Sequence, residues 1–223
     1  MEIKKIQVLN STHLKLIALI TMIIDHIGAV LFPQIKVLRM IGRLAFPIYA
    51  YLIGEGCIYS KNKPKYLIKV GITYIVYEIV SYLVRGDAHN ICVLYGFICA
   101  ILSVIIIEWA KEKPLLRRPI AVIPIMAMII STLIIKPDYI FFAILLPLSV
   151  YFIKNMPLRY LCFAILLILC GLSYEGNQWM GIFAMIPILL YNGQKGKEVL
   201  FKNSFYIMYP LHFAILGIIK MFL

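Results

Sequence analysis

Apolar residues run in blocks of about twenty along this chain, separated by short clusters of Lys, Pro, Gly and Asn. The first block, from Leu14 to Phe32, is long enough to cross a bilayer as a helix, which takes roughly 20 apolar residues. Reading on in the same way predicts nine spans, over residues 13–32, 38–59, 66–85, 90–109, 119–135, 138–154, 157–173, 178–192 and 204–222. Pro124, Pro147 and Pro187 fall inside spans, where a membrane bundle tolerates kinks. Pro64, Pro114, Pro137 and Pro157 are expected in loops. No internal repeat is visible, which argues against a transporter built of inverted halves. The expected fold is all-α: a polytopic membrane bundle of about nine transmembrane helices, forming one domain over residues 1–223.

Composition agrees. The chain is 63% hydrophobic and only 14% charged, with a mean hydropathy of +0.93, whereas soluble domains carry about 25% charged residues. The first span is no cleavable signal peptide, because it is too long, contains Asp25 and His26, and lacks a small-x-small cleavage site. The net charge of +12 is explained by topology and calls for no nucleic-acid partner. Lys4, Lys5, Lys61, Lys63, Lys65, Lys69, Lys111, Lys113, Arg117, Arg118, Lys154, Arg159, Lys195, Lys197 and Lys202 fall on one side of the nine spans. Lys36, Arg85, Lys136 and Lys220 fall on the other. Basic loops stay in the cytoplasm, which places the N-terminus inside and the C-terminus outside. Cys57, Cys92, Cys99, Cys162 and Cys170 are scattered singly in apolar segments and read as small buried side chains, not as a zinc site or a disulfide framework.

Against this background the ionisable residues inside the spans stand out. A charge near the middle of a membrane helix costs at least ~2.5–3.5 kcal/mol, so such a residue is a candidate for function by default. Lys15 and His26 lie eleven residues apart on the first span. That is three turns, which puts both on one face, about 16 Å apart along the axis. Lys15 reads either as a lysine snorkelling to the surface or as a contact for a ligand's anionic group. His26 is either a buried neutral histidine or a base. Asp25 points about 100° away from His26 and is expected to face a cation on another span. Arg39 and Arg43, one turn apart at the start of the second span, are the nearest. Two arginines exceed what one ion pair needs, leaving one for a ligand. Glu55 and Glu78 sit inside the second and third spans, as structural partners or proton acceptors. Tyr209 and His212 are neighbours on the last span, and Tyr191-Asn192-Gly193 ends the eighth as a helix stop or a contact. His13 and His89 lie at span edges and carry no signal. Neither an H-x-x-x-H pair nor clustered carboxylates occur, so no metal site is expected.

Three pieces in this order resemble the TraX family of membrane proteins. They are Leu14 to Gly28 with Asp25-His26, then Leu38 to Gly56 with Arg39-x-x-x-Arg43, Pro47 and Glu55, then Phe205 to His212 with Tyr209-Pro210-x-His212. Tyr77-Glu78 and Leu189 to Gly193 extend the resemblance over nearly the whole chain. The family is credited with acetylating pilin and is similar to a wider group of transmembrane acyltransferases that use coenzyme A thioesters. That group carries Arg, ten residues, then His on its first span; here Lys15 replaces the Arg. Its basic pair is Arg-x-x-Arg, against Arg39-x-x-x-Arg43 here, and Glu78 lacks the Pro that commonly follows it in TraX relatives.

The resemblance implies an enzyme of a bacterial cytoplasmic membrane that moves an acetyl or other acyl group from acyl-CoA to an amine or hydroxyl. The acceptor would be a pilin-like peptide, another peptide, a glycan or a small molecule. In that reading His26 with Asp25 is catalytic, the histidine acting as base or acyl carrier. Lys15, Arg39 and Arg43 bind the donor or stabilise the developing oxyanion, and Glu55, Glu78, Asn192, Tyr209 and His212 position the acceptor or relay protons. A small transporter or proton-coupled permease is the rival reading.

Overall fold

The computed structural model describes residues 6–86, 91–174, 176–197 and 203–223; Lys4, Lys5, His89 and Lys202 lie outside them. Nine apolar helical segments follow one another among the described residues: α1 Ser11–Val30, α2 Lys36–Tyr59, α3 Lys63–Arg85, α4 Leu94–Glu112, α5 Pro114–Ile135, α6 Phe142–Phe152, α7 Met156–Ser173, α8 Asn177–Leu189 and α9 Ser204–Met221. Seven are long and apolar enough to cross a membrane, while α6 and α8 are shorter. The chain is a multi-pass, all-α membrane protein, and the expected spans match the helices to within a few residues.

The caps explain the boundaries. Asn10 accepts hydrogen bonds from the Thr12 and His13 amides at the start of α1, and Asn62 and Asn155 do the same for Lys65 and Leu158 at the starts of α3 and α7. Pro64, Pro114 and Pro157, expected in loops, instead occupy the first turns of α3, α5 and α7. Those positions have no intrahelical use for an N–H, so proline is tolerated there. The second span is not one rod: it breaks between Lys36–Gly42 and Ala45–Tyr59. Pro47 accounts for the break, because it has no N–H to offer the Arg43 carbonyl and its ring crowds that position.

The second part of α2 is the centre of the bundle. It packs on α1, α4, α6 and α8 and buries Phe46, Ile48, Ala50, Tyr51, Ile53 and Cys57 around its circumference, as expected of a helix surrounded by others. Helix α6 is buried against α2, α4 and α7, whereas α5 packs chiefly on α4 and leaves most of its apolar side chains at the surface. Helices α1 and α9 pack on each other, and α9 packs extensively on α3.

Two ends result. One gathers the starts of α1, α3, α5, α7 and α9 and carries the lysine-rich loops; here Lys63 pairs with Glu108 at 3.1 Å and Leu9 bridges to Tyr191. The opposite end gathers the close of α1, the broken start of α2 and the loop between α5 and α6. Near the basic end, Glu55 is buried in α2. It accepts a hydrogen bond from the Tyr191 hydroxyl at 2.9 Å and pairs with Arg159 at 3.6 Å. Arg159 is therefore no exposed loop cation; its side chain is 8% exposed and its Nε donates to the Ile153 carbonyl at 2.7 Å.

Removing one partner of a buried pair strands the other charge, which costs about 3–5 kcal/mol, whereas replacing both is often neutral. Thermal unfolding of the detergent-solubilised protein should show Glu55→Ala strongly destabilised and the double variant Glu55→Ala/Arg159→Leu restored close to the parent. An unchanged melting temperature for Glu55→Ala would refute the locking role of the pair.

Candidate functional site

Among the described residues, α1 contributes to two polar clusters inside the bundle. The periodicity of α1 turns Lys15 and His26 to one side, and both meet α9: the Lys15 ammonium lies 5.6 Å from the Phe205 ring centroid, and the His26 ring meets His212. Asp25, one residue away, faces α2 instead.

The imidazoles of His26 and His212 approach to 2.6 Å between His26 Nδ1 and His212 Nε2. Their ring planes differ by 11° with centroids 4.9 Å apart. At that N···N distance two rings cannot be face to face; they meet edge to edge in nearly one plane, the geometry of an N–H···N hydrogen bond. On its other side His212 Nδ1 is 2.9 Å from the Met208 carbonyl oxygen. Phe213 stands edge-on to His26 at 5.1 Å between centroids, and Tyr77 flanks it at 6.4 Å. His212 is 4% exposed, and Tyr209 packs edge-on against it.

A cavity of about 320 Å³ opens among residues of the basic end and runs toward this pair. Ser11, Thr12, Lys15 and Lys195 line it near the helix starts, and Tyr49 and Tyr209 line its depth. Tyr49 and Tyr209 are in edge-on contact, so the wall of the cavity is a single aromatic layer away from His212. Its walls are mostly apolar, and its cations lie at the mouth.

The second cluster is at the opposite end. Arg39 Nη1 donates to Asp25 Oδ2 and, at 3.2 Å, to the Asp25 carbonyl. Helices α1 and α2 come this close because Gly28 faces Leu38 and Gly42 faces Asp25; a Cβ at Gly28 would stand 2.7 Å from Leu38 Cβ, too near for a side chain. Arg43 Nη1 donates to the Tyr139 hydroxyl at 3.4 Å. Tyr139 stacks on Phe46 at 3.6 Å and adopts a left-handed φ of 64°, unusual for a residue with a side chain. Asp138 lies within electrostatic reach of Arg85, Arg43 and Arg39, and the Arg85 guanidinium sits 5.1 Å over the Phe213 ring.

The expected site residues therefore divide. Lys15, His26, Tyr209 and His212 belong to the cavity and the adjoining imidazole pair. Asp25, Arg39 and Arg43 are brought together, but apart from Lys15, so the three cations do not form one donor site. Arg39 is the partner of Asp25, as the ion-pair alternative had it. Glu55 is held by Arg159 and Tyr191. Glu78 accepts from the Cys92 amide at 2.9 Å and fastens the start of α4 to α3. Asn192 closes a turn, its side chain accepting from the Gln194 amide and its own amide donating to the Leu9 carbonyl. Tyr49, Tyr139, Asp138 and Phe213 were not foreseen; an aromatic ring or a loop carboxylate in an apolar chain gives no local sign of which helix it will meet.

The model of a protein family described as "TraX protein" matches residues 10–220. A Dichelobacter nodosus protein named "Probable fimbrial assembly protein FimC, serogroup H1" is 27% identical over 242 aligned positions, covering 96% of this chain and 97% of that protein. An uncharacterised Rickettsia prowazekii protein is 36% identical over 69 residues, which is 31% of this chain and 27% of that one. No solved structure matches the chain.

The Arg39 side chain is 32% exposed and Asp25 15%, so solvent discounts this pair relative to the one at Glu55. Asp25→Ala should lower stability by roughly 1–3 kcal/mol, less than Glu55→Ala, and a further Arg39→Leu should recover most of it. Denaturation in detergent measures both, and a loss in Asp25→Ala that Arg39→Leu leaves untouched would show that Asp25 acts otherwise than as a partner of Arg39.

Proposed function

The chain belongs to the TraX family, and from that premise we propose that it is a membrane-embedded acyltransferase, moving an acetyl or related acyl group from a coenzyme A thioester to an amine or hydroxyl. The observation that carries the proposal is the cavity that runs from a basic mouth to the aromatic layer beside an imidazole pair. Its form suits a ligand with an anionic head and a long, mostly neutral arm. Phosphates at the mouth are met by Lys15 as a point charge. The arm of such a donor is on the order of 15–20 Å when extended, comparable with the rise of about 16 Å along α1 from Lys15 to His26. The basic end faces the cytoplasm in this proposal, following the distribution of Lys and Arg, and that is where acyl-CoA is found.

The chemistry needs a base, and that role goes to His26, whose imidazole partner His212 is in contact with Tyr209 of the cavity wall. The acceptor N–H or O–H gives its proton to the bare ring nitrogen of His26 while its N or O bonds to the thioester carbonyl carbon. The C–S bond then breaks, and the departing thiolate takes up the proton that the imidazole received. Phe213 and Tyr77 against the His26 ring hold its rotamer, so that orientation is settled before substrate arrives. The Asp25–Arg39 pair sets the position of α1 next to α2 and takes no proton in this scheme. The fimbrial assembly named for the Dichelobacter relative makes a peptide subunit of such a fibre a natural first acceptor to test.

Incubating the protein in liposomes with radiolabelled acetyl-CoA tests the proposal. Release of CoA, or label on an acceptor, is expected; substrate accumulation in vesicles without either would favour a permease. His26→Ala should abolish transfer while the protein still inserts. Lys15→Ala should raise KM for the donor several-fold and leave kcat near the parent value, because its contact is equally present before and during reaction.

A further inference from the structure

The proton positions in the imidazole pair follow from one fact, that a carbonyl oxygen only accepts. His212 Nδ1 lies 2.9 Å from the Met208 carbonyl oxygen, so it carries the hydrogen. Were Nδ1 bare, two lone pairs would face each other at hydrogen-bonding distance. In a neutral ring the other nitrogen is then unprotonated, so His212 Nε2 is an acceptor. It stands 2.6 Å from His26 Nδ1, which must donate to it. His26 is consequently protonated on Nδ1 and bare on Nε2. The sequence of donors is fixed from the backbone of α9 outward to a ring on α1, and nothing on α1 itself contributes to it.

Resting on the acyl-transfer proposal, we infer that His212 is a positioning residue: it holds His26 in the Nδ1–H tautomer and so presents Nε2 as the base. This gives His212 a different task from acceptor binding. Several features support it. His212 is almost wholly buried, and its second ring nitrogen is occupied by its own helix, so both nitrogens are already engaged and neither is spare for a ligand. The two rings are held nearly coplanar, the arrangement in which the lone pair of Nε2 points along the bond. Phe213 and Tyr209 pack edge-on to the His212 ring and prevent it from turning. Asp25, the neighbour from which a histidine would more commonly take its orientation, points to another face of the helix and is engaged by Arg39. An imidazole on another helix takes the place that a carboxylate holds in many histidine-based active sites.

The chain contains four histidines, few enough for ring nitrogens to be followed by 15N NMR on histidine-labelled protein in nanodiscs, beside CoA release measured chromatographically. In the parent, His26 should show a protonated Nδ1 and a bare Nε2. His212→Phe keeps an aromatic ring in place but removes the acceptor; His26 should then lose its single tautomer, and kcat should fall on the order of 10²–10⁴-fold with KM for acetyl-CoA unchanged. His212→Gln offers a side-chain oxygen to the same N–H and should recover both the tautomer and at least a tenth of the rate. A His26 tautomer that survives His212→Phe would overturn the inference, as would a kcat that His212→Phe leaves unaltered in an active enzyme. A parent protein that keeps the expected tautomer but releases no CoA would overturn the acyl-transfer proposal instead.

Discussion

An ionisable side chain inside an apolar bundle has to be met from another helix, and in this protein those meetings decide which helices touch. Asp25 ties α1 to α2 through Arg39, Glu55 ties α2 to α7 through Arg159, and His26 ties α1 to α9 through His212. Glu78 fastens α3 to the start of α4 by way of a backbone amide. Apolar side chains pack almost indifferently against lipid or against one another, so they select partners weakly within a membrane. The few polar contacts are what make one arrangement of these apolar helices better than the others.

Those contacts also separate the two ends by task. Near the basic end the mouth of the cavity is lined by lysines, and the pair at Glu55 secures the wall behind it. At the far end three arginines are occupied: Arg39 by a carboxylate, Arg43 by a phenol, and Arg85 over an aromatic face. Between them lies the imidazole pair, screened from the cavity by Tyr209. Paired charges at both ends, at Glu55 and at Asp25, thus hold the helices around the cavity in a fixed arrangement.

The sequence made most of the fold legible. Span positions followed from apolar length, and the helical period correctly turned Lys15 and His26 to a common face with Asp25 aimed elsewhere. The partners across space were another matter. Arg159 counts as a loop cation when only its neighbours in the chain are considered, because the glutamate that buries it is about a hundred positions away. The break in α2 was written in Pro47, four residues after the carbonyl it cannot serve, yet Pro64, Pro114 and Pro157 merely open helices, and Pro124, Pro147 and Pro210 lie inside helices that continue past them. Tyr49 and Tyr139 are two of fifteen tyrosines, and periodicity says which side of a helix a ring occupies without saying what it will find there. Local rules thus reached the helices and their faces, while the site depended on contacts between helices distant in sequence.

That distance bears on how the protein is made. The imidazole on α1 enters the membrane at the beginning of synthesis, and its partner on α9 follows nearly two hundred residues later. Until the ninth helix has docked between α1 and α3, the first ring lacks the neighbour that orders its protons. A nascent chain halted part-way through insertion would hold a histidine but no oriented pair, so the polar contact joining the first helix to the last is made only as assembly ends.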